Sequence, residues 1–131
     1  MLYPMFALVV LINLVGFRLL YLRVRAVQSG QVSIGIFRLN TGEGSPTLIQ
    51  QNAKNFSNLF EVPVLFFAAG TLSIILQRET HWMILLGWAF VLLRILHTSI
   101  HLTYNNVLHR LGAFFTGNLI VLAMWGLLLL R

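Results

Sequence analysis

Two sets of polar side chains interrupt otherwise apolar sequence at helical spacing. Lys54, Asn58 and Glu61 fall at i, i+4 and i+7, and Arg94, His97 and His101 at i, i+3 and i+7, so on helices each set lines one face. Tyr104 and Arg110 follow closely, adding a hydroxyl and a further cation. Several cations around one carboxylate suit a small zwitterion with excess negative charge: arginine forks would hold its carboxylates and Glu61 its ammonium. His97 and His101 also form an HxxxH pair able to present two imidazoles to a metal. A catalytic zinc or iron site wants a third protein ligand, with Glu61 and His109 as candidates, and no metal is expected.

Other chemistries are excluded by missing residue types. The chain has no aspartate, so a Ser-His-Asp triad has no support, and no cysteine, so a thiolate nucleophile and a thiolate metal site are both out. The NTGEGSP run around Gly42 lacks the lysine and the strand-to-helix context of a phosphate-cradling loop.

The elements that must position these residues are membrane spans. A length of 131 residues argues for one domain, residues 1–131, yet 58% are hydrophobic and 9% charged, far below the roughly one quarter charged of a soluble domain. The apolar residues come in blocks of roughly 20 or more, the length about 30 Å of hydrocarbon demands of a helix. The reading is an all-α membrane protein, a four-transmembrane-helix antiparallel bundle with spans at about 3–27, 47–76, 82–104 and 107–130, the last ending at Arg131. Gln28 to Pro46 reads as the one long polar loop, Gln77 to His81 as a tight connection and Asn105–Asn106 as a short turn. Pro63 leaves the carbonyl of Leu59 without its helical donor and predicts a kink in the second span. Trp82 is placed as an interfacial anchor.

The first apolar run has no basic residues ahead of it and no small-residue cleavage site, so it reads as a retained span. The net charge of +6 does not point to nucleic acid, because the basic residues are scattered singly through apolar sequence. They report topology. Arg23, Arg25, Arg38, Lys54 and Arg110 lie on the side of the 28–46 loop, and Arg78 and Arg131 on the other, so the loop is expected in the cytoplasm and both termini outside it. Short loops and the lack of an ER-retention tail lean toward a bacterial inner membrane.

At about 1.5 Å per residue, Glu61 and Arg94 both lie roughly 15 to 17 Å from the cytoplasmic ends of their spans. Either alone at mid-bilayer costs at least about 2.5 to 3.5 kcal/mol, so a pairing, direct or through a ligand, is expected. The plainer account is a structural ion pair that fixes how the second and third spans pack. Against it stands the number of polar groups between that depth and the surface, which suggests a wet crevice opening inward.

The K-x-x-x-N-x-x-E run of Lys54, Asn58 and Glu61, and the R-x-x-H-x-x-x-H run of Arg94, His97 and His101 followed nine residues on by Arg110, sit on a four-span chain of this length. In this the chain resembles the family of membrane-associated proteins in eicosanoid and glutathione metabolism, which includes microsomal glutathione transferases and prostaglandin-E synthase. The likeness covers nearly the whole chain. It implies a homotrimer with glutathione as co-substrate, bound between adjacent subunits near the cytoplasmic side. Lys54 stands where the family usually has arginine, and Asn58, Glu61 and Arg94 match directly. His97 matches the histidine of the prostaglandin-synthase branch. Arg110 aligns with that branch's thiolate-stabilising arginine, which implies a catalytic role, while Arg23 or Arg25 would reach the pocket from a neighbouring subunit. The family's third-span tyrosine is His101 here, and Tyr104, one turn on, would partly replace its hydroxyl.

The activity implied is a glutathione transferase or peroxidase type, with the thiolate attacking a small lipophilic electrophile that arrives through membrane lipids. Two other readings remain open. One is a non-enzymatic lipid-binding or scaffold member of the same family. The other is a small proton-coupled cation exporter built on Glu61, disfavoured because Lys54, Arg94 and Arg110 would repel a cation.

Overall fold

The computed structural model describes residues 1–39 and 43–130. Residues 40–42, in the middle of the long connection, and residue 131, where the last span was expected to end, lie outside the described residues. Five α-helices follow in order: α1 (Leu2–Gln28), α2 (Thr47–Asn58), α3 (Val62–Ile75), α4 (His81–Leu102) and α5 (Val107–Leu129). A short 3-10 helix, Ile34–Leu39, lies between α1 and α2. Among the described residues, with α2 and α3 taken as one segment, four segments are long and apolar enough to cross a membrane.

Local chemistry sets the boundaries. The α1 helix closes at Ser29, whose N–H bonds to the Arg25 carbonyl at 3.0 Å, and the chain reverses through Gly30 at φ +72°. A side chain at that φ would be strained, and glycine avoids it. Thr80 caps α4 by accepting from the Met83 N–H at 3.1 Å. Asn106 caps α5 by accepting from the N–H groups of Leu108 and His109 at 2.9 and 3.1 Å. Between those helices Asn105 takes the left-handed conformation, φ 48°, that asparagine tolerates better than most residues.

The second span is broken rather than merely kinked. Its helix stops at Asn58, residues 59–61 form a turn, and α3 restarts at Val62 with Pro63 in its first turn. Leu59 and Phe60 donate to the carbonyls of Phe56 and Ser57, a tighter pattern than an α-helix. Pro63 has no N–H to give the Leu59 carbonyl, and its fixed φ suits a helix start. One missing donor thus ends α2 and positions α3.

The core is apolar and interlocked by small residues. Phe66 of α3 stacks on Phe90 of α4 with ring centroids 4.6 Å apart, among Leu8, Ala69, Val121 and Met124. Gly70 and Gly87 let α1 approach closely, since a Cβ at Gly70 would stand 2.7 Å from the Met5 sulfur and one at Gly87 3.3 Å from Pro4 Cβ. Close approach over small residues is how helices associate where lipid removes the usual hydrophobic drive. The outer faces carry exposed Leu, Phe, Val and Trp, as lipid contact requires. At the far end from the long loop, the Met1 amine bonds Glu79, and Arg78 donates to the Leu128 carbonyl.

Candidate functional site

The site forms where α2, α4 and the start of α5 meet. Asn58 from α2, His97 from α4 and Arg110 from α5 line one crevice of about 110 Å³, closed by Val107, Leu111 and Phe114. Two helix signals deliver them: the α2 register sets Asn58 at the end of that helix, and the Asn105–Asn106 turn returns the chain so that Arg110 faces α4. Arg110 Nη1 donates to Asn105 Oδ1 at 2.8 Å and lies 3.4 Å from His101 Nε2. His101 is buried and its carbonyl accepts from the Gln51 amide of α2. Lys54, on α2, is exposed. The ring centroids of His97 and His101 are 5.9 Å apart, and among the described residues no three His, Cys, Asp or Glu side chains gather to hold a metal.

Arg94 lies deeper and is only 1% exposed. Its guanidinium carbon stands 4.9 Å from the Phe90 ring centroid and 5.2 Å from that of Phe114, so the cation is sandwiched between two aromatic faces. Among the described residues, none of its three guanidinium nitrogens has a hydrogen-bond partner. Of the two expected arrangements, direct or through a ligand, the direct pair with Glu61 is not formed among the described residues. The break in the second span makes Glu61 the residue preceding α3, and its side chain is exposed. Sequence spacing carried Glu61 on one helix face with Lys54 and Asn58, whereas the helix ends at Asn58 and Glu61 follows a turn.

Three expected members stand apart from the crevice in the protomer. Tyr104 is in the α4–α5 turn, exposed, with its hydroxyl 3.1 Å from His109 Nδ1. Arg23 borders a separate hollow of about 250 Å³ against α2, with Ala53, Ser57 and Phe60. Arg25 is exposed and donates to the Tyr21 hydroxyl at 3.3 Å. Arg18, simply one of the arginines near the inner end of α1 by sequence, donates to the fully buried Asn52 at 2.6 Å.

Sequence reasoning passed over four residues that shape this region. Asn55 is wholly buried and, among the described residues, neither of its amide atoms is partnered; the Thr98 hydroxyl is likewise buried without a partner among them. Gln51 ties α2 to α4 through the His101 carbonyl. Gly117 of α5 makes room for Arg94: a Cβ there would stand 2.9 Å from Arg94 Nη2. Asparagines and glutamine in an apolar span were a readable signal for the first and third, but a glycine opposite an arginine is visible only in the packed structure.

Gly117→Ala is therefore expected to destabilise the protein by about 1–3 kcal/mol, because the sandwiched guanidinium has little room to move. Thermal unfolding in detergent measures it, and Arg94→Met in the same chain should abolish the loss. Equal losses in both backgrounds would show that some other contact limits position 117.

A model described as the MAPEG family matches residues 1–130. Neither a curated protein nor a solved structure matches the chain.

Proposed function

The chain belongs to the MAPEG family and is a multi-pass integral membrane protein, and from this premise we propose that it is a glutathione-dependent transferase. The observation that carries the reading is the convergence of Arg110, His97 and Asn58 on one crevice from three helices, with Arg94 unpartnered beside it. In the proposal, Lys54, Arg94 and His101 complete a cationic lining for the glutathione carboxylates, and Glu61 receives the ammonium. Arg23 or Arg25 comes from an adjacent subunit of a homotrimer, which accounts for their distance from the crevice within one protomer.

The chemistry is nucleophilic substitution or addition. A thiol titrates near 8.5, and an adjacent cation favours its thiolate. Arg110, held by Asn105 and facing His101, would supply that cation. The thiol proton leaves to water, the sulfur forms a bond to the electrophilic carbon, and the leaving group or opened oxygen departs with the displaced electron pair. The electrophile is lipophilic and enters through the bilayer. The distribution of Lys and Arg supports a cytoplasmic site with both termini outside, and a bacterial inner membrane is the location we infer.

Calorimetry of the purified protein with glutathione, together with ultraviolet thiolate absorbance, tests the reading. Saturable binding and a thiolate band at neutral pH are expected. No heat, no thiolate band and saturable fatty-acid binding would instead establish the lipid-binding scaffold, a reading favoured by the outward placement of Tyr104.

A further inference from the structure

Residues 103–106 carry the chain from α4 to α5, and two successive asparagines divide the work. Asn106 caps α5 through the N–H groups of Leu108 and His109. Asn105 has a different task. Its backbone sits at φ 48°, and its N–H bonds to the Ile100 carbonyl at 2.8 Å, which closes the end of α4. Its side-chain Oδ1 then accepts from Arg110 Nη1, also at 2.8 Å. Glycine, asparagine and aspartate all tolerate that φ, but glycine has no side chain with which to hold an arginine.

Arg110 lies in the first turn of α5. Helical side chains lean back toward the helix N-terminus, so its guanidinium reaches over the turn toward α4. Among the described residues, both of its side-chain contacts, with Asn105 Oδ1 and with His101 Nε2 at 3.4 Å, fall on the single atom Nη1. A guanidinium carries five N–H donors in one rigid plane. Fixing Nη1 therefore leaves the Nε and Nη2 edge for a ligand in the crevice that Arg110 lines with Asn58 and His97. His101 is buried and its carbonyl is tied to Gln51 of α2, so one side of this clamp is anchored in the bundle. Asn105 is exposed, and water competes for its bond. Its acceptor keeps its place because the backbone beneath is already fixed by the bond to Ile100.

We propose that Asn105 is the positioning residue for Arg110, aiming the Nε–Nη2 edge of the guanidinium into the crevice. What that edge does there rests on the transferase reading: a cation held beside the glutathione sulfur favours the thiolate, whereas a freely rotating one is shared with water. The hold itself does not depend on glutathione.

The experiment compares Asn105→Gly, which keeps the backbone conformation and removes the acceptor, with Asn105→Asp, which keeps both. In the full-length protein in detergent, labelled with heavy nitrogen at arginine, the Arg110 guanidinium signals are assigned by their loss in Arg110→Leu. They report rotation about the Nε–Cζ bond with no glutathione present. Restricted rotation is expected in the wild type and in Asn105→Asp, and free rotation in Asn105→Gly. With glutathione bound, thiolate absorbance in Asn105→Gly should reach its midpoint about one pH unit above the wild type, about a tenfold change. Turnover at neutral pH should fall about five- to tenfold, and the deficit should close near about pH 10, where a thiol ionises unaided. Restricted rotation in Asn105→Gly would overturn the proposal, because asparagine would then serve only a backbone conformation that glycine also supplies. A turnover deficit of equal size at every pH would overturn it too, as the mark of a structural loss. No thiolate in the wild type, with rotation freed in Asn105→Gly, would remove the transferase reading and leave Asn105 positioning Arg110.

Discussion

Arg110→Leu is expected to lower conjugation turnover by about 10²- to 10³-fold, the usual effect of removing one preorganised group that stabilises developing or resident negative charge. Among the described residues that line the crevice, Arg110 is the one arginine or lysine, and Arg94 lies deeper, between Phe90 and Phe114. Arg110 is also held on both sides, by Asn105 Oδ1 at 2.8 Å and beside His101 Nε2 at 3.4 Å. It is preorganised, so its replacement removes a fixed charge rather than a wandering one. Arg110→Lys keeps the charge but not the planar fork and should fall between the two. Stopped-flow thiolate absorbance and turnover with a general aromatic electrophile read the effect. A rise in the glutathione dissociation constant with turnover unchanged at saturation would assign Arg110 to holding the peptide and not to activating its sulfur.

Arg94→Met is expected to separate stability from binding. The wild-type guanidinium is buried and, among the described residues, has no hydrogen-bond partner on any nitrogen and makes no ion pair with Glu61. A buried charge without good partners contributes little to stability, and exchanging buried ionic groups for apolar side chains is often neutral or favourable by about 1–4 kcal/mol. Methionine would still fill the space between Phe90 and Phe114 with a soft side chain that packs well on aromatic rings. The unfolding temperature should therefore hold or rise. If Arg94 is kept for its unsatisfied donors, glutathione affinity should fall about 10- to 100-fold, the worth of hydrogen bonds to a charged group. A large drop in unfolding temperature with affinity unchanged would make Arg94 a packing residue and remove it from the site.

Much of the architecture was legible because bilayer spans write themselves as apolar blocks of fixed length. Expected spans at 3–27 and 107–130 fall within a residue of Leu2–Gln28 and Val107–Leu129. Pro63 was readable because the loss of one donor is a property of the residue itself. Its consequence was not, since whether a helix bends or stops depends on what surrounds the freed carbonyls. The same limit explains Glu61 and Tyr104. Spacing along an ideal helix assigns both to a face, but each sits where the helix has ended, one before α3 and one after α4. Gly117 escaped notice for another reason: it matters through Arg94, which lies opposite on a different helix, and no single stretch of sequence contains both.

The break at 59–61 also divides the protein mechanically. Trp125 of α5 donates its indole N–H to the Leu65 carbonyl at 3.2 Å, fastening the first turn of α3 to the last helix. Gln51 and Asn52 fasten α2 to α4 and α1 instead. The second span is thus two levers with separate anchors, joined by three residues outside any helix, and Glu61 sits at the fulcrum. Any flexing there would change the separation of Glu61 and Arg94 before it disturbed the stacked Phe66–Phe90 core.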